Sequence, residues 1–198
     1  MKEVVIASYN KGKVAEFKSA LEALPVKVLS LEDFVNIPEA EETGCTFAEN
    51  AIAKARHYVK YTQRACLADD SGLEVAALQG APGVYSARYA GRGATDEKNN
   101  EKLLLDMQGK EGEERKARFC CVLAFLDTDN TLLTAEGFCK GLLLKEKRGS
   151  GGFGYDPLFF VLALNKTLSE ISLAEKNKIS HRGMAIKQMT KKLAGYIP

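Results

Sequence analysis

Residues 3–24, EVVIASYNKGKVAEFKSALEAL, decide the fold class. Residues 3–7 (EVVIA) are a short apolar run of the kind a sheet buries. Val14, Phe17, Leu21 and Leu24 then recur at helical spacing, and Pro25 stops the helix. Val26, Val28 and Leu29 begin a second strand. The chain therefore opens as strand, tight turn, helix, strand. Further on, residues 117–126 and 131–138 read as strands around a turn at 127–130. Shorter strands are expected at 65–68, 141–145 and 158–162. Thr46-x-x-Glu49 and Ser172-x-x-Glu175 are capping boxes that open two helices, the first running to about residue 62. Thr95 or Asp96 caps another helix, and the last helix carries Ile186, Met189 and Leu193 on one stripe. Early alternation of helices and strands, with later clustered strands, predicts an α/β fold: a mixed sheet with helices packed around it.

At 198 residues, 45% apolar and 27% charged, the chain suits one sizeable soluble domain, or two lobes sharing a core. No apolar run reaches membrane-span length, and the start is too short in apolar residues for a signal sequence. Against 26 acidic residues stand 28 basic ones, which argues against a nucleic-acid binder. Five cysteines without a Cys-x-x-Cys pair, and only two histidines, point to reduced thiols and away from zinc.

Five segments can carry chemistry. Ser8, Tyr9, Asn10, Lys11, Gly12 and Lys13 join a strand to a helix start, where free N–H groups and the helix dipole attract phosphate. A solvated turn has the same composition. The second helix places Phe47, Asn50, Lys54 and Tyr58 near one stripe. Lys54 either snorkels to water or points at an anion. Asp69-Asp70-Ser71-Gly72 follows a short strand, and its carboxylates suit Mg²⁺, with Glu41 or Glu42 as another ligand; a polar turn has the same residues. The glycine-dense loop at 149–154 contains G-x-G-x-x-G in a non-Rossmann context. Its Phe153 and Tyr155 either stack on a base or pack down. Ser180 is a plausible N-cap, followed by the donors His181 and Arg182. Together these supply what a Mg-nucleoside triphosphate needs: cations (Lys13, Lys54, Lys176), carboxylates, a stacking ring and donors.

The segments SYNKGKVAEF (8–17), EETGCTFAENAIAKA (41–55), LADDSGLEV (67–75), APGVYSARYAG (81–91), GSGGFGYDPLFF (149–160) and ISHRGMA (179–185) span nearly the whole chain. In this order they resemble the inosine/xanthosine triphosphate pyrophosphatase family. The resemblance implies a single domain over 1–198, elongated and two-lobed, with a long mixed central sheet flanked by helices and the active site in the cleft between lobes. It implies Mg²⁺-dependent hydrolysis of ITP, dITP and XTP to monophosphate and pyrophosphate, by a cytoplasmic homodimer that engages neither nucleic acid nor membrane. Residue by residue, it makes 8–13 the phosphate element, Lys54 the essential helix lysine and Asp70 the general base and metal ligand. Glu41 becomes the second metal position, with Glu42 as the alternative. Ser71 becomes a substrate contact. Phe153, Gly154, Tyr155, Asp156, Lys176, His181 and Arg182 become base-recognition and substrate residues. Two rival readings are a phosphatase releasing orthophosphate and a sensor that binds nucleotide without turnover.

Overall fold

A computed structural model describes residues 1–197. Seven strands form one sheet in the order β2-β1-β3-β4-β5-β6-β7. They are β1 (Lys2–Ile6), β2 (Val26–Ser30), β3 (Ala65–Val75), β4 (Lys116–Leu126), β5 (Leu132–Leu143), β6 (Phe159–Val161) and β7 (Lys166–Thr167). The helices are α1 (Lys11–Leu21), α2 (Phe47–Thr62), α3 (Asp96–Asp106), α4 (Leu173–Ile179) and α5 (His181–Tyr196). β1 runs parallel to β2 and β3, whereas β6 is antiparallel to β5 and β7. The sheet is therefore mixed, as the alternation pattern predicts. Among the described residues, no helix is long and apolar enough to cross a membrane.

The chain divides into two compact units, with the unit boundaries falling inside β3, β4, β5 and α5. The first comprises residues 1–70, 121–137 and 184–198. Its core gathers Val4 and Ile6 of β1, Phe17 and Leu21 of α1, and Leu67 of β3. Alternate residues Cys121, Leu123 and Phe125 of β4 join them, with Ile186, Met189 and Leu193 of α5. Period two on the strand and the i, i+3, i+7 stripe on the helix are what put these side chains on one face each. The second unit comprises residues 71–120 and 138–183. Leu73, Val75, Leu103, Met107, Phe119, Tyr155, Leu158 and Phe159 are central to its core.

Two strand expectations are corrected. β3 does not stop before Asp69; it runs through Asp69-Asp70-Ser71-Gly72 to Val75. The expected separate strand at 141–145 is the end of β5, which continues through Lys140 and Gly141 to Leu143. Gly141 is required there because a Cβ would lie 2.5 Å from the Phe160 carbonyl oxygen and 2.7 Å from the Phe159 ring. The glycine marks close approach of another strand, not a break. Four cysteines are buried and Cys45 is exposed, and none of the five is in a disulfide.

Candidate active site

In the first unit, β1 hands over to α1 at the 8–13 segment. Asn10 is extended and caps α1, its Oδ1 accepting the Lys13 N–H at 3.1 Å. The Asn10 N–H in turn donates to Ser8 Oγ at 3.1 Å. Tyr9, Asn10, Lys11 and Gly12 are exposed, and a small cavity of about 230 Å³ beside them is lined by Ser8, Tyr9, Lys11, Lys18 and Glu32 among others. A capped helix start with exposed lysines is an anion-attracting end.

α2 opens with the expected capping box, in which Thr46 and Glu49 satisfy each other's backbone N–H groups. Its Phe47, Asn50 and Tyr58 are buried as one stripe. Lys54 lies on that stripe, and its ammonium is committed to acidic groups rather than to water. Nζ lies 2.5 Å from Glu42 Oε1 and 3.5 Å from Asp70 Oδ1, and it donates to the Asp69 carbonyl at 3.0 Å. Asn50 Nδ2 donates to Asp70 Oδ2 at 3.0 Å. Lys13 Nζ lies 2.9 Å from Asp69 Oδ2. These partners explain why two buried aspartates can sit mid-strand. Each carboxylate finds a cation, so β3 continues where a local reading sees a turn.

The electrostatics are under tension. Burial pushes the Asp70 carboxyl above its ordinary value; Lys54 and Asn50 pull it down, while Glu42 and Asp69 push it further up. Burial alone would depress Lys54, but Asp70, Asp69 and Glu42 outweigh it and hold the ammonium above the usual lysine range. Among the described residues, no three His, Cys, Asp or Glu side chains come together as a ready metal cage. The structure brings Glu42 to Asp70 through Lys54, whereas Glu41 is exposed. The buried Asp70 carboxylate, with Glu42 adding to the negative charge beside it, suits a hard divalent cation. Such a cation takes one or two carboxylates and fills its remaining positions with water and phosphate oxygens.

In the second unit, Phe153 is 39% exposed, and its ring lies 4.4 Å from Lys176 Nζ and 5.7 Å from Arg182 Cζ. Lys176 is itself buried and paired with buried Asp156 at 2.6 Å. Asp156 Oδ2 also accepts the Phe153 N–H at 2.9 Å. Gly152 (φ 76°) makes room for this, since a Cβ there would lie 2.1 Å from that oxygen. Arg182 Nη2 donates to Ser71 Oγ at 3.1 Å. His181 is buried and stacks on Phe119 at 4.7 Å and 12°. Ser180 Oγ accepts the Gly183 N–H at 3.1 Å, as an N-cap of α5 would. Of the two alternatives for Tyr155, the structure takes the packed one. Tyr155 is a core residue whose hydroxyl donates to the Ser86 carbonyl at 2.8 Å.

The sequence-predicted residues thus fall into two constellations: Lys13, Lys54 and Asp70 in the first unit, and Ser71, Phe153, Asp156, Lys176, His181 and Arg182 in the second. Sequence reasoning names Asp69, Asn50 and Glu42 but not their pairings with Lys13, Asp70 and Lys54. An asparagine on a core-facing stripe was the available signal for Asn50. The larger cavity of the second unit, about 580 Å³ and lined by Glu74, Ala117, Arg118, Gly141 and Leu162, holds none of the predicted residues.

The fold is that of an α/β protein whose capped helix starts, lysines and strand-borne carboxylates are groups suited to phosphate. A profile of the Ham1 family matches residues 4–192, and the chain belongs to that family. It is 53% identical over 186 residues to a dITP/XTP pyrophosphatase of Syntrophobacter fumaroxidans, covering 94% of this chain and 79% of that one. It is 49% identical over 186 residues to a dITP/XTP pyrophosphatase of Desulforamulus reducens, covering 94% and 92%. A HAM1 protein structure from Coxiella burnetii superposes with TM-score 0.92 at 44% identity, covering 98% of this chain and all of that one.

Proposed function

We infer that this chain is a nucleoside-triphosphate pyrophosphatase acting on non-standard purine nucleotides, ITP, dITP and XTP. The observation that carries the chemistry is Asp70, held mid-strand between Lys54 and Asn50. Water attacks the α-phosphorus, its bond to the α–β bridging oxygen breaks, and pyrophosphate leaves with the nucleoside monophosphate as the other product. Asp70 takes the proton of the attacking water. A carboxyl raised by burial is a better base than a free aspartate. Asn50 fixes which oxygen faces Lys54. Lys13, Lys54 and the N–H groups at the start of α1 meet the negative charge that builds on the phosphates.

Mg²⁺ would be held by Asp70 with an acidic-loop carboxylate, Glu42 fitting the geometry better than Glu41, and would offset phosphate charge. Phe153 stacks on the purine. Arg182, His181 and Lys176 supply donors for a 6-oxo edge, which adenine lacks. A site built to donate there rejects an amino group strongly. Phe153 stacks on any base, so it contributes affinity and not choice.

The reading extends to a cytoplasmic homodimer that engages neither nucleic acid nor membrane; light scattering tests the dimer. Asp70→Asn tests the mechanism. Turnover of XTP should fall by orders of magnitude with circular dichroism unchanged, and near-normal turnover removes Asp70 from the chemistry.

A further inference from the structure

α3 carries two side chains whose placement the helix itself does not explain. Its N-terminal cap is Thr95, which accepts the Lys98 N–H at 3.3 Å. The Asp96 carboxylate is therefore not used for local capping. Instead Asp96 Oδ2 accepts the Gly154 N–H at 2.7 Å. Asn100 lies one turn further on the same face, by the i+4 step. Asparagine is a poor interior helix residue, yet Asn100 is only 2% exposed. Its Nδ2 donates to the Gly154 carbonyl at 2.8 Å and to the Asp96 carbonyl at 2.7 Å. Both polar atoms of one glycine's backbone are thus gripped by α3, across more than fifty residues of sequence.

Gly154 sits at φ 62°, a left-handed conformation, immediately after Phe153. The peptide units on both sides of Phe153 are held. Asp156 takes the N–H of Phe153, and Asp96 takes the N–H of Gly154. Lys176 and Arg182 lie against the ring itself, which stands on a loop flanked by Gly152 and Gly154. Here the backbone beneath it is held by charge-assisted bonds.

We propose that Asp96 and Asn100 are positioning residues for base recognition: they lock the backbone of Gly154 on both sides of its Cα and so present the Phe153 ring in its stacking pose. This rests on Phe153 being the base-stacking residue. Neither α3 side chain needs to touch the nucleotide. Pre-paying the loop's order appears in KM, because the ring meets the base in ground state and transition state alike.

The test is a steady-state double-mutant cycle with XTP, reading pyrophosphate. Asp96→Ala should raise KM about tenfold with kcat within about twofold, the loss of one charged hydrogen bond. Asp96→Asn keeps an acceptor oxygen and should restore most of the lost affinity. In a Phe153→Ala background, Asp96→Ala should add nothing, because the residue acts through the ring. If Phe153→Ala alone leaves KM unchanged, the stacking reading fails. If Phe153→Ala raises KM but Asp96→Ala does not, the positioning proposal fails while stacking stands. Additive effects of the two substitutions, or a fall in kcat at unchanged KM, overturn it as well.

Discussion

Replacing Lys176 with Met is the sharpest perturbation of the second unit. Its ammonium and the Asp156 carboxylate lie 2.6 Å apart, with side chains only 5% and 3% exposed. Met keeps most of the aliphatic volume and removes the charge. Asp156 then keeps one backbone N–H partner, from Phe153, and no cation. Breaking a buried pair from one side costs about 3–5 kcal/mol, because the other charge stays desolvated. For a chain of this size that is a fall in Tm on the order of 10 °C. Urea unfolding followed by far-ultraviolet circular dichroism measures it. Asp156→Asn keeps an acceptor for the Phe153 N–H and strands the ammonium instead. The double variant, Lys176→Met with Asp156→Asn, removes both charges and should cost clearly less than the two singles summed. A Lys176→Met cost below about 1 kcal/mol is what an exposed pair would give, and would refute the argument. Additive single effects would refute it too.

Gly183→Ala should destabilise despite lying in a helix. Alanine ordinarily gains about 1 kcal/mol over glycine there, but this Cβ would sit 1.8 Å from the Asn177 carbonyl oxygen. Thermal unfolding should show a net loss, and a gain would mean the two segments separate freely. Glu42→Gln should raise the Mg²⁺ concentration for half-maximal turnover several-fold more than Glu41→Gln, and the reverse order would return the ligand role to Glu41. At the far end of the first unit, burial opposes ionisation of Asp127, but bonds from Lys2 and Tyr196 outweigh it and hold the carboxyl below the ordinary range. Such a group stabilises above its unfolded value of about 4, and the contribution fades as pH falls through the lower folded value. Asp127→Asn should therefore lower stability at neutral pH and flatten its loss in acid. Unchanged curves would show that the network contributes nothing.

Local pattern made most elements legible. Pro25, the two capping boxes and the Ile186–Met189–Leu193 stripe act within one or two turns of chain, so composition and spacing suffice. The failures share a different cause. Asp69-Asp70-Ser71-Gly72 has turn composition, and what keeps it extended are Lys13, Asn50 and Lys54, all distant in sequence. Residues 131–138 and 141–145 read as two strands because Phe159 and Phe160, whose close approach Gly141 admits, arrive almost twenty residues later. Tyr155 reads equally as a stacking or a packing aromatic because Ser86 and the core that receives it come from elsewhere. The candidate site was visible as a set of residue types. Its pairings were not, since each ion pair is a tertiary contact that local periodicity does not encode. Asp96 and Asn100 gave one weak signal, an Asn-Asn step inside a helix that favours neither.

The most direct test is the position of bond cleavage. XTP should be hydrolysed in heavy-oxygen water with Mg²⁺, and the products separated and weighed by mass spectrometry. Attack at the α-phosphorus puts the heavy oxygen in the monophosphate and leaves pyrophosphate unlabelled, with little product from ATP under the same conditions. Label in pyrophosphate, release of orthophosphate, or equal turnover of ATP would contradict the account.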